Sequence, residues 1–182
     1  APGKHPRDAE GEGLAVMKYA QATQGRVFVI TMEDGEIVHE VIERFAAEHG
    51  IAAAALILVG GAQRGSRLVV GPADGDARPV APMELILDDI HEIAGVGALF
   101  PDETGAPILH MHAASGRGCE TVTGCVRRGV KVWQIGEAIL FELLGCAAVR
   151  EFSPELGFAV LNPSHGGDAE GRGAWTEHRP PP

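Results

Sequence analysis

The sequence predicts an α+β fold: a single domain built on a mostly antiparallel sheet, with helical structure flanking it. Three observations carry that expectation. Only one stretch, Ile37 to Ala46, repeats its apolar residues at helical spacing. Around it lie many short β-branched runs punctuated by Gly, Pro and Asp, without the regular strand and helix alternation of a parallel sheet. Finally, 182 residues, 45% of them hydrophobic, suffice for one core and are few for two.

Taken in order, residues 1–16 are rich in Gly, Pro and charge, and residues 163–182 have almost no apolar content, so both ends are expected to be loosely attached to a domain spanning 17–162. Arg26 to Thr31 reads as a strand that runs into the turn signal Glu33-Asp34-Gly35. Ile37, Val38, Val41, Ile42, Phe45 and Ala46 then form one face of a helix, with Glu40, Glu43 and Glu48 between them and Gly50 placed to end it. Further strands are expected at Ala54–Val59, Arg67–Val70, Met83–Leu87, Ile108–Ala113, Val130–Ile135, Ala138–Leu144 and Gly157–Leu161.

Composition excludes several function classes. The formal charge is −10, and each polar end contributes only −1, so the domain itself would repel a phosphate backbone unless its few basic residues cluster. Cys119, Cys125 and Cys146 are odd in number and lack CxxC spacing, which points to reduced thiols rather than a disulfide framework. The longest apolar run, Ile51 to Gly60, is too short to cross a bilayer, and no basic-then-apolar leader is evident; a cytoplasmic protein without a membrane partner is expected. Gly60-Gly61 lacks phosphate-loop spacing, so no motif supports nucleotide binding.

The chemistry concentrates in Pro107-Ile108-Leu109-His110-Met111-His112-Ala113. Strand alternation sets Leu109, Met111 and Ala113 on one face and the two histidines on the other. Residues two apart on a strand lie roughly 7 Å apart at Cα, close enough for both imidazoles to reach one ion. Zinc accepts such nitrogens, and a catalytic zinc keeps three protein ligands and one open position. Two candidates stand out for the third ligand: Cys125, a thiolate donor, and His91, a third imidazole. Read blandly, the pair is two polar strand residues facing solvent or a subunit interface, and Cys125 is a small buried hydrophobe.

Arg117, Arg127, Arg128 and Lys131 form the one local basic concentration in this acidic chain. Guanidinium groups there could hold an anionic ligand, and Arg117, in a Gly-flanked loop directly after the histidine strand, is the first choice. Glu137 enters an apolar strand, and burial beside a metal would suit it to acid–base catalysis; edge exposure is the commoner situation.

The order of these features resembles the plants-and-prokaryotes-conserved domain family over roughly Tyr19 to Pro163. The resemblance rests on Gly25-Arg26-Val27-Phe28-Val29 before Asp34-Gly35-Glu36, and on Gly50-Ile51 followed by Gly60-Gly61-Ala62. It also rests on Met83-Glu84-Leu85-Ile86-Leu87, and on His110-Met111-His112 followed by Gly124-Cys125 and Glu137. It implies a seven-stranded antiparallel sheet with helices, a homotrimer, and zinc held by an HxH pair plus a later Gly-Gly-His histidine. Here the third position reads Thr123-Gly124-Cys125, so the resemblance leaves Cys125 or His91 to complete the set. Plant members join this domain to AT-hooks and act on DNA; no Arg-Gly-Arg-Pro hook occurs here, and the acidic balance disfavours a DNA-binding regulator. The fold is also similar to that of acetolactate decarboxylase, where three histidines hold a catalytic zinc, which keeps a metal-dependent lyase or hydrolase open. A structural trimer without ligand is the remaining alternative.

Overall fold

In a computed structural model, which describes residues 17–163, the domain is an eight-stranded antiparallel sheet with one α-helix laid on it and a small separate hairpin. In chain order the strands are β1 (Thr23–Glu33), β2 (Ala54–Ala62), β3 (Arg67–Pro72), β4 (Pro82–Ile86), β5 (His91–Pro101), β6 (Pro107–Arg117), β7 (Glu120–Cys125) and β8 (Val132–Leu144). Helix α1 (Val38–Glu48) follows β1, and β9 (Val149–Ser153) pairs with β10 (Phe158–Asn162) in the hairpin. The large sheet runs β1-β8-β2-β5-β6-β7-β3-β4. The α+β class therefore holds with corrections: eight strands rather than seven, and one α-helix plus the short 3-10 turn Val126–Arg128 rather than several flanking helices. The two ends expected to be loose, apart from Pro163, lie outside the described residues.

Three strands escape the sequence reading. β5 contains Ala94, Gly95, Gly97 and Ala98, residues of poor strand propensity. Packing explains the glycines: a Cβ on Gly97 would lie 2.7 Å from Met111 Cβ, so the small residue lets β6 press its core side chain against β5. β7 is short and Thr-rich, and β9 begins after an irregular stretch. Conversely, the two expected strands at Val130–Ile135 and Ala138–Leu144 are one strand, β8, bent at a bulge opposite Gly60 and Gly61. There Gln134 takes φ 59°, and its N–H donates to Asp34 Oδ1 at 2.7 Å, which supports the local left-handed conformation.

The core lies between α1 and one face of the sheet. Val38, Val41, Ile42 and Ala46 of α1 are buried against a cluster that includes Met32, Leu58, Leu99, Leu109, Met111 and Leu140. Gly50 adopts φ +63° just after the helix, as expected of its stop signal. Glu43 on α1 accepts a 2.8 Å hydrogen bond from Leu109 N–H and so ties the helix to the start of β6. On the other face only one end is covered, where Ala148 packs with Phe100 and Ala98 and the β9–β10 hairpin brings Phe158 beside His110 and His112. Cross-strand register aligns Val29, Ile139, Ile57, Val96, His112 and Cys125 in one row across it, and Val29, Ile57 and Val96 are exposed there by 80%, 46% and 67%.

A candidate metal centre

β6 places the histidines as its alternation dictates: Leu109, Met111 and Ala113 are buried, while His110 and His112 stand on the open face. β7 turns back beside it, and Cys125 is the direct partner of His112. Cys125 is half-buried with a free thiol, as are Cys119 and Cys146 in having no disulfide. Gly124 makes this possible, since a Cβ there would lie 2.6 Å from the backbone oxygen of Val69 on β3.

The donor atoms of His110, His112 and Cys125 all lie within 4.8 Å of one another. The two Nε2 atoms are 3.1 Å apart, with ring planes at 76°. Nitrogens that close cannot both carry protons; either one donates to the other, or both lone pairs converge on a cation. Two imidazoles on a tetrahedral zinc have nitrogens about 3.3 Å apart, given Zn–N bonds of 2.0–2.1 Å. The donor types and their spacing therefore fit a zinc-like ion. Desolvation by the packed surroundings pushes both imidazoles below the ordinary histidine pKa, helped at His110 by Arg150 and Arg127 and at His112 by His110 and Arg127. Neutral imidazole is the form that ligates a metal.

The triad opens into a cavity of about 610 Å³, whose lining includes Arg127, Arg128, Val69, Val80 and Phe158. Arg128 Nε is 2.9 Å from Glu84 Oε1. Arg127 has no carboxylate within ion-pair distance among the described residues. Arg150 is 4% exposed, and its guanidinium donates to the carbonyls of Ala98 and Ile108 at 3.2 and 3.4 Å.

The remaining candidates lie elsewhere. In register, Val96 and Ala98 are the β5 partners of His112 and His110, so odd-numbered His91 belongs to the opposite face of the sheet. Its Nδ1 is 2.9 Å from Asp89 O. Arg117, an odd number of residues beyond His112 on the same strand, shares His91's face; it pairs with Asp89 and donates to Ile90 O at 3.0 Å. His91 and Arg117 line a second cavity, of about 580 Å³, together with Ser115. Glu137 faces the same side as the triad, but β2 and β5 intervene, which separates them by roughly 14 Å at three inter-strand spacings. Within one chain the geometry thus gathers Cys125 with the histidine pair and leaves His91, Arg117 and Glu137 apart from it. The basic residues brought to the same cavity are Arg127 and Arg128, two and three positions beyond Cys125, of which Arg128 is paired with Glu84.

Comparison with known proteins agrees with this architecture. A metal-containing protein from Archaeoglobus fulgidus superposes with a TM-score of 0.70 at 22% identity, over 80% of this chain and 99% of the other. A plant- and prokaryote-conserved protein from Pyrococcus horikoshii gives a TM-score of 0.66 at 20% identity, over 80% and 97% of the two chains. A protein from Bacteroides thetaiotaomicron provisionally assigned to DNA binding gives 0.63 at 16% identity, over 79% and 99%. Curated protein sequences give no match. The sequence profile of the Plants and Prokaryotes Conserved domain matches residues 19–144, most of the described sheet included, and the chain belongs to that family.

Proposed function

We propose that this protein is a metal-binding, homotrimeric member of its family that holds a small anionic ligand beside the ion. The observation that carries the reading is the convergence of His110, His112 and Cys125 within 4.8 Å in a cavity that Arg127 also lines. Two imidazoles and one thiolate suit zinc and leave a fourth position open, where a bound zinc would polarise a carbonyl or activate water. The chain's own contribution is to orient the three donors from one rigid β-hairpin and to supply cationic charge through Arg127. The similar Archaeoglobus protein is itself metal-containing, which accords with this. His91 and Arg117, on the opposite face, are assigned no part in it.

Trimerisation is supported by the uncovered apolar row on the sheet, a face that association would bury. A lyase or hydrolase reading needs a proton carrier, and Glu137 serves only if assembly brings it to a neighbouring triad. DNA binding, the provisional assignment of some structural neighbours, is opposed by the formal charge of −10.

Elemental analysis tests the reading on protein purified without chelator or metal-affinity tag. Wild type is expected to carry close to one metal per chain, and His112→Ala and Cys125→Ala to lose it. Retention in Cys125→Ala would remove Cys125 from the ligand set and leave the histidine pair; an unmetallated wild type that takes up no added zinc overturns the metal reading. A gel shift at two salt concentrations decides the DNA alternative, with no retardation expected even at low salt.

A further inference from the structure

The cavity over the triad is far larger than a metal-bound water or a simple inorganic anion requires, since one water occupies about 30 Å³. At about 610 Å³ it falls in the size range of sites for organic ligands. Its composition is divided. The triad and Arg127 form a cationic, ligating floor, whereas Val69, Val80, Pro82 and Phe158 form an apolar wall.

Beyond Val69 of β3, that wall is assembled from two further pieces of chain. The segment before β4 and the β9–β10 turn are joined by the Val80 N–H to Leu156 O hydrogen bond of 3.0 Å. They approach so closely that a Cβ on Gly157, at φ +80°, would meet Pro79 Cβ at 2.8 Å. Phe158 follows directly and remains 43% exposed, an aromatic ring with apolar surface still to be covered.

The charges on the floor are also incomplete. Arg127, half-buried in the lining, has no carboxylate partner among the described residues, whereas Arg150, buried outside the lining, is satisfied by the Ala98 and Ile108 carbonyls. An anion completes this floor; an apolar body completes the wall.

From this juxtaposition we infer that the natural ligand is an amphipathic organic monocarboxylate, its carboxylate on Arg127 and its short hydrocarbon or aromatic body against Val80, Pro82 and Phe158. This rests on the anion-binding part of the proposed function and adds the ligand's class. Wholly polar dianions leave the wall wet, and uncharged hydrophobes leave Arg127 unpaired, so both are discriminated against.

Calorimetric titration of the full chain with acetate, butyrate, hexanoate and 1-hexanol, before and after chelation, tests the inference without any substitution. Affinity is expected to climb along the acid series, by up to about fourfold per methylene at full burial, with hexanol at least tenfold weaker than hexanoate. Arg127→Gln is expected to erase the preference for hexanoate over hexanol. Phe158→Ala should weaken hexanoate and leave acetate unchanged. Equal affinity for acetate and hexanoate, or for hexanoate and hexanol, overturns the inference. Metal content measured on the same samples separates the two ideas: metal present with a flat acid series sinks only the ligand class, whereas a steep series on a chain that never takes up metal sinks only the metal reading.

Discussion

Single atoms decide much of this fold. Where the start of β1 meets the end of β8, Glu142 is 6% exposed and accepts from the Arg26 guanidinium through both carboxylate oxygens, at 2.7 and 2.6 Å, while the Arg26 backbone N–H donates to it at 3.0 Å. Those bonds hold its pKa at about 2, below the ordinary 4.5. Because the folded value is depressed, the stabilisation is fully present above the unfolded pKa and is lost as pH falls through the folded value. Glu142→Gln is expected to lower the melting temperature at pH 7 and to flatten its fall between about pH 4.5 and 2, as scanning calorimetry at several pH values would show. Gly25 is required beside it, for a Cβ there would sit 2.7 Å from Glu142 Oε2. Gly124→Ala drives a methyl into the Val69 carbonyl, so β3 must move from β7; lower stability and weakened metal retention are expected together, by thermal melting and elemental analysis. The sequence displays Gly124-Cys125, but the reason for the glycine resides in a neighbouring strand that sequence distance does not reveal.

Among the elements, β6 serves two purposes through one alternation. Met111, 1% exposed, locks it into the core while His110 and His112 stand on the other side. Met111→Ala is expected to cost about 2–5 kcal/mol in urea unfolding, the range for a large side chain removed from a packed core. The same period of two made the histidine pair legible from sequence alone. It also bore on His91 and Arg117: once β5 is recognised and its register fixed, an odd offset from the paired residues assigns both to the other face. Reading Arg117 as a loop residue concealed that parity. β5 itself was concealed by its Ala and Gly content, which reflects accommodation of Met111 rather than intrinsic strand preference. Arg127 was visible within the basic group, and its adjacency to Cys125 was the available signal.

Over the whole molecule, the two sheet faces are treated unequally. α1 covers one, and the other presents the apolar row from Val29 to Val96. A charge in the middle of that row should not disturb the monomer's core. Under the proposed homotrimer, wild type has three times the chain mass in light scattering after gel filtration and Val96→Glu is expected to fall to the monomer mass with secondary structure retained; an unchanged mass would refute assembly through this face. The α+β class and a mainly antiparallel sheet were legible because they follow from local periodicity and the lack of βα alternation. The strand order β1-β8-β2-β5-β6-β7-β3-β4 was not, because it depends on pairings between residues far apart in the chain. None of the described helices is long and apolar enough to cross a membrane.

The three candidate ligands have one further property: all come from a single hairpin, β6 and β7, joined at Gly118 and Cys119. Chelation therefore depends on short-range chain closure, whereas enclosure depends on Val80 and Phe158, which reach the site from well before and well after that hairpin. The candidate ligand set and the shape of the chamber above it are therefore set by separate parts of the chain. Substitutions in the β3–β4 connection or in the C-terminal hairpin can remodel what the chamber admits while the β6–β7 hairpin keeps His110, His112 and Cys125 in place.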